Sequence, residues 1–203
     1  MTSKKEEVPT RVITPVAMCS YPHLFEAWAG EDGQDPKFSI ALVFSEEAQA
    51  SPEYKAMKAA VLAAAEKKFP KKSVDMIRNG QLRLPFRDDA EDKGYPKGST
   101  FANARSKDKP GVVSRHKDAD GNAIVITKEE QVPGEPNDVY AGCMVRASLT
   151  AYGYDKAGNK GVAFGLNNVQ KWAEGERIDN RMAAVQEFEA DLEEPASSVA
   201  DLL

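Results

Sequence analysis

Residues 140–172 read YAGCMVRASLTAYGYDKAGNKGVAFGLNNVQKW, and their alternation decides the fold class. Cys143, Val145, Ala147, Leu149 and Ala151 fall on one parity; Met144, Arg146, Ser148, Thr150, Tyr152 and Tyr154 fall on the other. That is the pattern of a strand with one apolar and one amphipathic face. Asp155-Lys156-Ala157-Gly158-Asn159 is a run of turn formers, and Gly161 to Val169 alternates again through Val162, Phe164, Leu166 and Asn168. The segment is therefore a long antiparallel hairpin with a basic tip.

Toward the N-terminus the chain is predicted to form further short strands around one helix. Pro110–Ser114 and Ala123–Lys128 can pair across the turn Asp118-Ala119-Asp120-Gly121-Asn122. The same run resembles a calcium loop in its spacing, with Glu129 twelfth, but that loop needs glycine at its sixth position, where Ala123 stands. Asp88–Lys109 reads as a long polar loop and Leu82–Phe86 as a short strand. Pro52 to about Phe69 is a helix: Ser51 caps it, Pro52 suits its first position, Tyr54, Met57, Val61, Ala64 and Ala65 share a face, and Pro70 stops it. Arg11–Met18 and Lys37–Phe44 read as strands, separated by a turn-rich aromatic segment, Tyr21–Trp28, and a charged loop, Gly30–Pro36. Phe38 and Phe44 are expected in the core, whereas Phe25 and Trp28 suit either core or surface. The expected fold is mainly β with one inserted helix, an OB-fold-like Greek-key barrel, with a small β-sandwich as the alternative.

The chain has 203 residues, 41% hydrophobic and 8% aromatic, enough for one core. It divides into a domain at 1–186 and an acidic tail at 187–203. The tail carries Glu187, Glu189, Asp191, Glu193, Glu194 and Asp201 without a Lys or Arg, and ends in Leu202 and Leu203. Of 32 acidic residues these six lie in the tail, leaving 26 against 27 basic ones, so the body is near neutral with room for basic patches. Such a tail buries too little apolar surface to offset its ordering entropy and is expected to be disordered. No stretch approaches the ~20 apolar residues of a membrane span, and Met1–Thr10 has no signal-peptide core, which points to a cytoplasmic protein. Cys19 and Cys143 suit buried thiols better than a disulfide or a metal site.

Catalysis has little support. The histidines, His23 and His116, lie in different segments, and no nucleophile elbow, phosphate-binding loop or Cys/His metal spacing occurs, so neither an enzyme nor a metal or organic cofactor is expected. A metal-dependent nuclease would have to use Asp88, Asp89, Glu91 and Asp92, consecutive acids on one loop where convergence from separate strands is needed. Single-strand binders combine phosphate-binding cations with aromatic faces for bases, and two stretches offer both. In one, Tyr95 and Phe101 are interleaved with Arg83, Arg87, Lys93, Lys97, Arg105, Lys107 and Lys109. In the other, Arg146, Tyr152 and Tyr154 share a face and Lys156 and Lys160 flank the tip. Trp28 is a further stacking candidate, and for Tyr152 and Tyr154 binding and packing stand equal.

Five blocks carry a family resemblance: Tyr21–Ala27, Lys37–Phe44, Leu84–Asp88, Tyr140–Leu149, and Gly158–Val162 continuing to the Leu166-Asn167-Asn168-Val169-Gln170 run. Together they resemble the phage-encoded single-stranded DNA-binding proteins over roughly Val12 to Glu176. The resemblance implies an OB fold, sequence-independent binding of single-stranded DNA in phage replication or recombination, and an acidic C-terminus that competes with DNA and recruits phage or host replication proteins. Where such tails commonly end in a bulky apolar or aromatic residue, this one ends in Leu202 and Leu203. The alternative is a non-catalytic interaction adaptor or an RNA-binding module; a homodimer is left open.

Overall fold

The computed structural model describes residues 8–30 and 35–178; the acidic tail at 187–203 lies outside them. The elements, in chain order, are β1 (Arg11–Ile13), β2 (Ala17–Trp28), β3 (Lys37–Phe44), α1 (Glu46–Ala50), α2 (Pro52–Lys68), α3 (Ser73–Arg78), β4 (Phe86–Arg87), a 3-10 turn (Glu91–Lys93), β5 (Thr100–Ser106), β6 (Gly111–Lys117), β7 (Ala123–Val125), β8 (Met144–Lys156) and β9 (Asn159–Ala173). Among these residues no helix is long and apolar enough to cross a membrane.

Five strands close on themselves in the order β8, β2, β3, β5, β9 and back to β8, antiparallel throughout except for β5 beside β9. This is the five-stranded Greek-key barrel of the OB type. β1 continues the β2 edge along β8, and the β6–β7 hairpin lies beyond β5 on the edge of β9. The β8–β9 turn forms as read, with Ala157 and Gly158 at φ +49° and +83°, the positive pair that suits a two-residue hairpin turn. The Asp118 turn also forms, its Oδ1 accepting from the N–H groups of Asp120 and Asn122.

The barrel interior takes Ile40, Leu42 and Phe44 from β3, Ala102 and Ala104 from β5, the predicted apolar parity of β8, and Val162, Phe164 and Leu166 from β9. Helix α2 closes one end. Ser51 Oγ accepts the Tyr54 N–H, and all five residues expected on its apolar face are buried. Tyr54 meets the rings of Phe44 and Phe86 at 5.2 Å each, and its hydroxyl is 2.8 Å from Thr100 Oγ1. Cys19 and Cys143 are buried free thiols on the β2–β8 seam, where the Cys19 N–H donates to the Cys143 carbonyl at 2.8 Å. Their mutual hydrogen bond, with burial, holds the Cys19 thiol well above its ordinary value.

Several expectations are corrected. Tyr21–Trp28 is strand, not turn: bulges on β2 absorb the residues, Pro22 included, that break the alternation. The supposed loop Asp88–Lys109 contains β5, the third barrel strand, whose inward residues are only Ala102 and Ala104 and so give no apolar periodicity. The inserted helix is accompanied by the short α1 and α3, and the strand expected at Leu82–Phe86 is Phe86–Arg87. Phe44 is fully buried, whereas Phe38 is half-buried.

Candidate nucleic-acid interface

Strand register puts residues distant in sequence on one line across the outside of the barrel. With Ile40, Leu42 and Phe44 facing inward, β3 turns Lys37, Ser39, Ala41 and Val43 outward. Ser39 lies opposite His23 on β2 and Arg105 on β5, Arg105 opposite Gly165 on β9, and Gly165 opposite Thr150 on β8. The Tyr152 ring lies over Gly165, its Cε1 3.7 Å from the Cβ position there. At the other end of the line Trp28, opposite Lys37, stacks on His23 with centroids 5.0 Å apart and planes 7° from parallel. Burial holds His23 below the ordinary imidazole value, so at pH 7 this pair is a neutral π-surface.

The line thus has an exposed aromatic at each end, Trp28 and Tyr152 (55% and 47% exposed), and cations between. Among the described residues Lys37 and Arg105 have no carboxylate partner. Lys107 lies 3.9 Å from Asp35 with both side chains mostly in water, a contact worth little.

The β2 bulge adds a residue. Between the pairs Ser20–Ala41 and His23–Ser39 the strand sets two residues, Tyr21 and Pro22, against Ile40 alone, one more than its partner, and Tyr21 there adopts φ +45° and is 70% exposed. Left-handed backbone is costly for a side-chain-bearing residue and concentrates at functional sites, as bulges do. Tyr21 also lines a groove of about 1240 Å³ running along β2 past Ser20 and His23, walled by Tyr95 on one side and by Tyr140 and residues 175–178 on the other. The second wall is clasped by Tyr140: its one hydroxyl hydrogen is shared between Glu174 Oε2 and the Gly175 carbonyl, at 2.9 and 2.8 Å, its oxygen accepts the Gly175 N–H, and Arg177, paired with Asp138, lies 4.0 Å from its ring. Gly142, at φ +112°, permits this closeness, since a Cβ there would sit 1.8 Å from the Glu176 carbonyl.

The other residues expected to bind divide into two groups. Arg83, Lys93, Lys97, Lys109 and Lys156 are exposed; Arg83 joins the hairpin through its backbone, its N–H donating to the Lys160 carbonyl at 3.0 Å. Lys160 is 3.6 Å from Asp155, and Arg87 is held by Asp89 at 3.0 Å. Phe101, read as a stacking residue, is instead buried with Val43 and Ala90 under the 88–97 segment, and its ring is unavailable to a base. Tyr95 covers that cluster edge-on at 5.5 Å while donating to Ser20 Oγ. Arg146 is largely spent inside the protein: Nε donates to the Thr14 carbonyl and Nη2 lies 3.8 Å from Glu53. Tyr154 packs its hydroxyl against Gly161, leaving Tyr152 as the open ring of the pair. Tyr21, His23 and Lys37 were absent from the predicted set; the Tyr21-Pro22-His23 run held two of them, but its strand character was hidden by the bulge.

Residues 10–198 match the family model described as "Enterobacter phage Enc34, ssDNA-binding protein". A sequence relative, protein p50 of Acyrthosiphon pisum secondary endosymbiont phage 1, is 31% identical over 140 residues, covering 66% of this chain and 68% of its own. In fold, the chain is similar to the single-stranded DNA-binding protein from bacteriophage Enc34 in complex with ssDNA, at TM-score 0.64 and 21% identity over 87% of this chain and 96% of that one. It is also similar to gp2.5, a single-stranded DNA-binding protein encoded by bacteriophage T7, at TM-score 0.55 and 13% identity over 90% and 98%.

Proposed function

The chain belongs to the family of the Enterobacter phage Enc34 ssDNA-binding protein, and on that premise we propose that it is a non-catalytic protein that coats and protects single-stranded DNA during phage replication or recombination. The observation that carries this reading is the line from Trp28 and His23 through Lys37, Ser39 and Arg105 to Gly165 and Tyr152. It crosses the outer face of the second and third barrel strands, the face with which OB folds meet oligonucleotides. Aromatic faces and cations serve any base sequence, because every base has a π-face and every nucleotide a phosphate. The Enc34 protein, similar in fold, was solved with ssDNA bound. The protein would act in the cytoplasm of the infected host.

The division into a domain at 1–186 and a tail at 187–203 belongs to the same proposal. The clasp at Tyr140 fixes residues 174–178 beside the groove, so a tail that starts nine residues further along the chain, at Glu187, is tethered within reach of the binding face. A short flexible tether can give millimolar effective concentration, enough for six carboxylates to compete with phosphates, while Leu202 and Leu203 offer an apolar anchor for a replication partner. One binding assay tests both parts: the full chain and a chain ending at Gln186, on single-stranded DNA, duplex DNA and RNA, at low and high salt with and without magnesium. The expected result is preference for single-stranded DNA without strand degradation, and tighter binding by the shortened chain, most marked at low salt where exposed charges are least screened. Preference for duplex or RNA, or degradation in magnesium, would contradict the function; unchanged or weaker binding by the shortened chain would contradict the competing tail.

A further inference from the structure

The Gly165–Gln170 run is used by the line above at Gly165 alone. Past a bulge at Asn167, β9 presents Asn168 opposite Ser148 and Gly111, then Gln170 opposite Arg146 and Val113, and reaches Trp172. At about 3.3 Å per residue, Trp172 lies roughly 23 Å along the strand from Gly165.

Two guanidinium groups approach the Trp172 ring, Arg115 at 4.5 Å and Arg146 at 5.4 Å from its centroid. They differ in what they have left to offer. Arg146 is engaged by Thr14 and Glu53. Arg115, on β6, is exposed and has no hydrogen-bond or ion-pair partner among the described residues. A guanidinium resting on an indole loses side-chain freedom but keeps its N–H edge free, a preset fork for a phosphate, and its plane can carry a base.

We propose that Arg115, held on Trp172, is a second contact for single-stranded nucleic acid, reached along Asn168 and Gln170 after the strand crosses Arg105 and Gly165. The inference rests on the single-strand reading above and extends it: a long strand turns from the β2–β3–β5 face onto the β9–β6 face, and a short one stops before it.

The test compares wild type, Arg115→Ala and Arg115→Lys on oligothymidylates of about 6 and about 20 nucleotides, near the low end of and beyond the range covered by one OB fold. For Arg115→Ala, affinity for the shorter strand should change less than about twofold and that for the longer should fall about tenfold, with a salt slope shallower by about 0.7. Arg115→Lys should restore the slope but not the full affinity, because an ammonium has no plane to rest on the indole. Equal losses on both lengths, or no loss on the longer, would overturn the second contact while leaving single-strand binding in place. Wild type that binds neither length would overturn the single-strand reading and this inference with it.

Discussion

Phe44→Ala is expected to lower the free energy of unfolding by about 3–5 kcal/mol, the range for removing a buried aromatic ring. Phe44 is fully buried on β3, and its ring meets Tyr54 of α2 edge-on at 5.2 Å, so its loss opens the joint between the barrel and the helix that closes it. Tyr54 in turn contacts Phe86, which contacts Phe164 of β9 at 5.7 Å, and the cavity would disturb a cluster spanning four elements. Denaturant unfolding checks the magnitude. Affinity for single-stranded DNA per folded molecule should stay near wild type, since Lys37 and Ser39 on the other face of β3 carry the binding line; a loss of affinity exceeding the unfolded fraction would mean the two faces are not independent.

Trp28→Ala is expected to behave in the opposite way, weakening single-stranded DNA binding by about 1–3 kcal/mol, the range for a stacked base. Stability should move by no more than about 0.5 kcal/mol, because the side chain is 55% exposed and contributes no core packing. The ring is already ordered by its stack on His23, so little side-chain entropy is lost when a base joins it. Titration of a labelled oligonucleotide at fixed salt, beside a thermal melt, separates the cases. Unchanged affinity with a lowered melting temperature would make Trp28 a structural residue.

The two substitutions also mark what the sequence makes legible. Phe44 and the β8–β9 hairpin were readable because one face of each strand is uniformly apolar and the other is not, and α2 because its cap, its proline and its buried face agree. β5 was unreadable for a physical reason: its inward residues are alanines, sized to fit opposite Phe164 and Ile40, and its burial comes from its neighbours. Phe101 and Arg146 show a second limit. Alternation says which side of the sheet a residue leaves by, but not that the 88–97 segment covers Phe101 or that Thr14 and Glu53 engage Arg146. The binding line itself exists only in the register. His23, Ser39, Arg105 and Gly165 are separated by up to 142 positions and share no motif, yet three strand pairings place them in a row.

Ultraviolet cross-linking of an oligothymidylate to the wild-type full chain, read out by peptide mass spectrometry, tests that row most directly. The expected adducts fall on Tyr21, His23 or Trp28 of β2 and on Tyr152 of β8, at the two ends of the line. Adducts confined to α2, α3 or the exposed side of β7, with these residues unmodified, would contradict it.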